Sequence, residues 1–115
     1  MKARIYHNPR CSKSRATLAL LEERGVDTEV IEYLKTPPTR KELEKLLKKL
    51  GMRASELIRK GEKEWKDSGK DASASEAELI DLMLSHPILI ERPIVEVGER
   101  ARVGRPPERV LELFE

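Results

Sequence analysis

The chain has 115 residues, enough for one compact domain around one modest core. Hydrophobic and charged residues each make up 38%, which excludes a wholly disordered chain, and 23 basic against 21 acidic side chains leave a net charge of only +2. That near-balance, with only four scattered aromatics (Tyr6, Tyr33, Trp65 and Phe114), argues against a nucleic-acid binder. No run of about 18 apolar residues exists and "MKARIYHNPR" lacks the apolar stretch of a signal peptide, so a cytoplasmic chain without membrane association is expected; a monomer is the expected state.

In chain order, "ARIYH" reads as a short strand with Ala3 and Ile5 on one face, interrupted by the turn chemistry of "HNP". "SKSRATLALLEERG" then offers Ser12 or Ser14 as an N-cap, an apolar pair at Leu18 and Leu21, and Gly25 as a stop. The β-branched run "DTEVIEYL", closed by "KTPPT", predicts a second strand, parallel to the first through the crossover helix. Thr39 and Glu42 form a capping-box pattern ahead of Leu43, Leu46, Leu47 and Leu50, and Gly51 ends that helix. Residues 52–74 read as a brief helical turn and an exposed loop. Ser75 and Glu78 open another helix, with Leu79, Leu82 and Met83 predicted to be buried, ending near "SHP". "IVEV" and "ARV" around Gly98 and Glu99 predict a hairpin, and Pro106 and Pro107 suit the first turn of a last helix carrying Val110, Leu111 and Phe114. This order fits a thioredoxin-like four-stranded mixed sheet with flanking helices, one domain over 1–115 with a helical insertion at about 39–86; a ferredoxin-like sandwich is the rival.

The lone cysteine, Cys11, falls just before or at the first turn of the first helix, where unpaired backbone N–H groups and the positive end of the helix dipole favour an anion. His7, Arg10, Lys13 and Arg15 surround it in sequence, and cationic neighbours lower a thiol's pKa. The bland alternative is an inert structural thiol, which prefers apolar surroundings. A C-x-x-C couple would need cysteine where Ser14 stands, and a C-x5-R anion loop would need arginine where Thr17 stands. Any adduct on Cys11 must therefore be resolved by a thiol from another molecule. His7 reads equally as an ion partner of Cys11 or as a strand-end histidine, His86 as a helix-end residue, and a zinc site has no support. Arginines are the natural clamps for oxyanions, and Arg92 stands beside Pro93 at the entry to a strand, a place suited to a cis peptide.

Five ordered segments, "IYHNPRCSKSRATLALLEERG", "YLKTPPTRKELEKLL", "ELIRKGE", "LIDLMLSHPILIERPIV" and "RVGRPPERVLELF", resemble the glutaredoxin-dependent arsenate reductase family across nearly the whole chain. The resemblance implies a thioredoxin-like fold and reduction of arsenate to arsenite, with glutathione as co-substrate, glutaredoxin as partner and no bound cofactor or metal. It makes Cys11 the nucleophile, His7 the residue that helps keep it ionised, and Arg59, Arg92 and Arg105 the oxyanion-binding set. Pro93 matches the cis-proline of the fold. Where well-known members read "CGTS", this chain reads "CSKS", which adds the cation of Lys13. Two other functions remain open: a glutathione-dependent thiol or disulfide reductase on the same scaffold, and an Spx-like RNA polymerase-binding regulator, against which Ser14 in place of a second cysteine argues.

Overall fold

A computed structural model of the chain describes residues 2–115. Two compact units divide it, one made of residues up to Thr36 together with Arg92–Glu115, the other of Pro37–Glu91.

The first unit holds the sheet. Strand β1 (Lys2–His7) leads into helix α1 (Ser12–Glu23) and strand β2 (Asp27–Glu32); β3 (Ile94–Val97) and β4 (Arg100–Val103) form a hairpin, and a 3-10 helix (Pro107–Phe114) closes the chain. Strand order is β2-β1-β3-β4. β1 pairs directly and in parallel with β2, Ile5 opposite Val30, and antiparallel with β3, Ile5 opposite Val95. In a ferredoxin-like sandwich another strand would separate the first two, so this direct parallel pair rules that rival out. Central β1 is buried from Ile5 through His7, whereas edge strand β2 leaves Val30 exposed. Ala3, Ile5, Leu21, Val95, Val110 and Leu113 make the core under the sheet, each large apolar side chain contributing roughly 1.5–3 kcal/mol on burial.

Two expectations change here. Helix α1 starts with Cys11 itself as N-cap, not with Ser12 or Ser14, and its buried stripe is Ser14, Thr17 and Leu21, with Leu18 only half-buried. The last helix is 3-10, and it buries Leu113 with Val110 while Leu111 and Phe114 are half-buried. Three residues per turn bring positions 110 and 113 to one edge, which a 3.6-residue period does not favour over 111 and 114.

The second unit is helical. Helix α2 (Arg40–Leu50) carries the full capping box: Glu42 N–H donates to Thr39 Oγ1 and Thr39 N–H to the Glu42 carboxylate, and Gly51 at φ 68 ends the helix in the left-handed conformation. Short helices α3 (Ala54–Leu57) and α4 (Lys63–Ser68) occupy the stretch read as one turn and a loop. The Ala54 N–H is capped by Glu76 at 2.9 Å, a partner 22 residues away that local sequence does not display. Helix α5 (Glu76–Ser85), with Ser75 and Glu78 as its capping box, buries Leu79, Ile80 and Met83, and Leu82 is only half-buried. Among the described residues no helix is long and apolar enough to cross a membrane.

Candidate active site

The end of β1, the loop that follows and the first turn of α1 build one hydrogen-bonded frame. Cys11 N–H donates to Asn8 O at 3.0 Å, turning the chain sharply, and Arg10 N–H donates to Asn8 Oδ1 at 3.0 Å. Asn8 N–H donates to Ser14 Oγ at 3.0 Å, and His7 Nδ1 lies 2.6 Å from the same hydroxyl. The loop is thus held to the helix through one buried serine. With the helix begun, Arg15 N–H takes the first intrahelical bond to Cys11 O at 3.0 Å.

That frame leaves the half-buried Cys11 sulfur facing the free N–H groups of the first turn. Burial pushes the Cys11 thiol up, but the backbone N–H groups of Ser14 and Lys13, the Arg92 side chain and the charge of Arg105 together hold it below its ordinary value. Arg105 Nη2 lies 3.6 Å from Sγ.

The two arginines come from opposite ends of the β3–β4 hairpin. Arg92 is buried and precedes β3; Arg105 follows β4 and donates through Nε to Arg92 O at 2.9 Å. Both Arg92–Pro93 and Arg105–Pro106 are cis peptides, the second unforeseen in the sequence. Between them Gly104 N–H donates to Pro93 O at 2.9 Å, and a Cβ on Gly104 would lie 2.6 Å from Thr17 Oγ1 and 2.8 Å from Pro93 Cγ. Only glycine lets the Arg105 loop lie this close to α1 and Pro93.

His7 sits at the buried end of β1. Burial pushes its imidazole below its usual value, Glu32 pulls against that and Arg15 adds to it. Its hydrogen bond goes to Ser14, whose own N–H reaches the sulfur. Arg59 belongs to the helical unit, where Nε donates to Glu62 at 3.0 Å and Nη1 to Glu91 at 2.7 Å. Sequence reasoning missed Asn8, Ser14 and Gly104. The signals were present: a serine three residues after the N-cap, and a glycine just ahead of "RPP". Among the described residues no group of three or more His, Cys, Asp or Glu side chains is arranged to hold a metal ion.

Chemically, a lowered thiol beside two guanidinium groups and a helix N-terminus can attack an electrophilic oxyanion and hold its charge. The ArsC family model matches residues 6–113 of the chain. The chain belongs to the ArsC family. Among ArsC relatives, the uncharacterized protein YfgD of Escherichia coli (strain K12) is 54% identical over 114 residues, covering 97% of this chain and 96% of that protein. An arsenate reductase of Rhizobium meliloti (strain 1021) is 44% identical over 115 residues, covering 99% of this chain and 82% of that one. An arsenate reductase structure from Vibrio cholerae superposes with a TM-score of 0.94 at 48% identity over 97% of both chains. The four-stranded mixed sheet with its flanking helices is the thioredoxin-like ArsC fold.

Proposed function

We propose that this ArsC-family chain is an oxidoreductase that reduces arsenate to arsenite, with Cys11 as nucleophile, glutathione as co-substrate and glutaredoxin as the second thiol. The observation that carries the reading is the position of Cys11 at the N-terminus of α1 with Arg105 Nη2 3.6 Å from its sulfur, where, against burial, the Ser14 and Lys13 N–H groups, Arg92 and Arg105 favour the thiolate. The thiolate attacks arsenic(V) and an arsenate oxygen leaves as water, while the guanidinium groups and helix N–H groups take up oxyanion charge. Glutathione displaces a second oxygen as water, forming a second sulfur–arsenic bond. Glutaredoxin's thiol then attacks the glutathione sulfur; a mixed disulfide leaves, the pair of the broken bond stays on arsenic, and arsenic falls to the +3 state. Water cleaves the remaining Cys11–arsenic bond, releasing arsenite and the thiol. In sum, one arsenate and two thiols give one arsenite, one disulfide and one water.

A lone cysteine suits this sequence, because both reducing thiols come from outside the chain. Arg59 enters as third oxyanion ligand on the family resemblance alone, and Pro93 as a backbone element between the two site arginines. The test is arsenic speciation after incubation with arsenate, glutathione and glutaredoxin. Arsenite should form with all components present and disappear when either thiol is omitted or Cys11 is replaced by Ser. Turnover of a glutathionylated peptide without any arsenite would instead support a general glutathione-dependent thiol reductase.

A further inference from the structure

A cavity of about 230 Å³ lies against the nucleophile loop, between His7–Arg10 and the end of β2 with the turn after it, where Glu32, Leu34 and Lys35 stand. Its wall is the same frame that holds Cys11: Asn8 accepts the N–H groups of Arg10 and Cys11, and Arg15 Nη1 donates to Pro9 O at 2.9 Å. The residue after its Arg10 wall is the nucleophile itself, one Cα–Cα step of about 3.8 Å away. Two cations, Arg10 and Lys35, and one carboxylate, Glu32, line it, and Leu34, one of two exposed large apolar side chains among the described residues, supplies a greasy edge. The Lys35–Glu32 contact of 3.4 Å joins exposed groups and yields readily to a ligand.

We propose that this cavity docks glutathione by its γ-glutamyl end. The α-carboxylate of that end faces Arg10 and Lys35, its ammonium faces Glu32, its methylenes cover Leu34, and the cysteinyl thiol extends past the loop to the Cys11 side. The charge pattern matches, since the one carboxylate and one ammonium of the γ-glutamyl end meet a wall that offers cations for the first and a carboxylate for the second. The size matches one end only, because the cavity is smaller than the ~300–1,000 Å³ that encloses a whole drug-sized ligand. The identity of the thiol rests on the arsenate reductase reading above; the recognition chemistry, a zwitterionic amino-acid end on an anionic peptide, is read from the cavity.

S-methylglutathione, which cannot react, separates the two claims. Titrated into isotope-labelled protein, it should shift the amide resonances of Asn8, Arg10, Glu32, Leu34 and Lys35 saturably. The Arg10→Gln/Lys35→Gln variant, altered only at exposed positions, should weaken this binding about fivefold or more, and S-methyl-cysteinylglycine, lacking the γ-glutamyl unit, should leave those resonances unmoved. In turnover the same variant should raise KM for glutathione by a similar factor and leave KM for arsenate unchanged. Shifts confined to residues outside the cavity, or an unchanged KM for glutathione in the variant, would overturn the proposal. Binding at the cavity without arsenite formation would uphold the docking site and sink the arsenate reading; arsenite formation with an unmoved glutathione KM would do the reverse.

Discussion

The His7 ring nitrogen Nδ1 lies 2.6 Å from the Ser14 hydroxyl oxygen, with both residues buried. The same hydroxyl accepts the Asn8 N–H, and the Ser14 N–H faces the Cys11 sulfur, so one serine links strand end, loop and thiolate. Replacing Ser14 by Ala leaves the histidine nitrogen and the Asn8 N–H buried without their partner. It should destabilise the fold by about 1–3 kcal/mol in urea unfolding. Loosening of the loop should also raise the Cys11 titration midpoint, read from thiolate absorbance.

His7 gives a pH signature of opposite origin from the thiol's. Its folded pKa lies below the ordinary ~6.5, so the unfolded chain takes up a proton first as pH falls. Nothing is lost well above ~6.5; stability then drops as pH falls through the unfolded value and levels off below the folded one. His7→Asn should flatten the change in urea midpoint between pH 7 and pH 5 that the parent protein shows.

Gly104 carries a packing constraint that reaches the site. Gly104→Ala would drive a methyl to 2.6 Å from Thr17 Oγ1 and 2.8 Å from Pro93 Cγ, atoms with no room to retreat in a buried wall. A cost of about 1–3 kcal/mol is expected. Because Arg105 is the next residue, kcat should fall as well. Adding Thr17→Ala removes two of the three crowding atoms and should restore part of the stability, which unfolding curves of the double variant would show.

Arg105 holds its geometry with one fork arm on Arg92 O and another toward the sulfur. Lysine keeps the charge but cannot make both contacts. Arg105→Lys should therefore raise the Cys11 midpoint less than Arg105→Ala does, while both raise KM for arsenate. Equal thiol midpoints in parent, Lys and Ala variants would show that Arg105 does not act on the sulfur.

How much of this was legible before the structure varies with the range of the interactions. The α2 and α5 boundaries follow from Thr39, Glu42, Ser75 and Glu78 because a capping box is made within four residues. The parallel β1–β2 pair follows from the strand, helix and strand order. Cys11 could be placed at a helix start, but its role as N-cap was hidden because its backbone, not a side-chain oxygen, begins the helix. The 3-10 character of the last helix turned on whether Leu113 or Leu111 packs with Val110, a tertiary choice. In the site, residue chemistry pointed to a thiolate and an anion, and family resemblance supplied the arginines. The bonds from Arg105 to Arg92 O and to Cys11 Sγ span 13 and 94 residues, distances over which local pattern carries no signal. The His7 contact with Ser14 was equally out of reach, since it depends on burial at the end of a central strand.

Because the chain has a single cysteine, any thiol-directed reagent reports on Cys11 alone. The rate of iodoacetamide alkylation as a function of pH, with and without arsenate, therefore tests the account at its centre. The expected midpoint lies below the free-thiol value of ~8.5, and arsenate should slow alkylation by occupying the arginines and the sulfur. A midpoint at or above ~8.5, with alkylation indifferent to arsenate, would contradict a thiolate poised for an oxyanion.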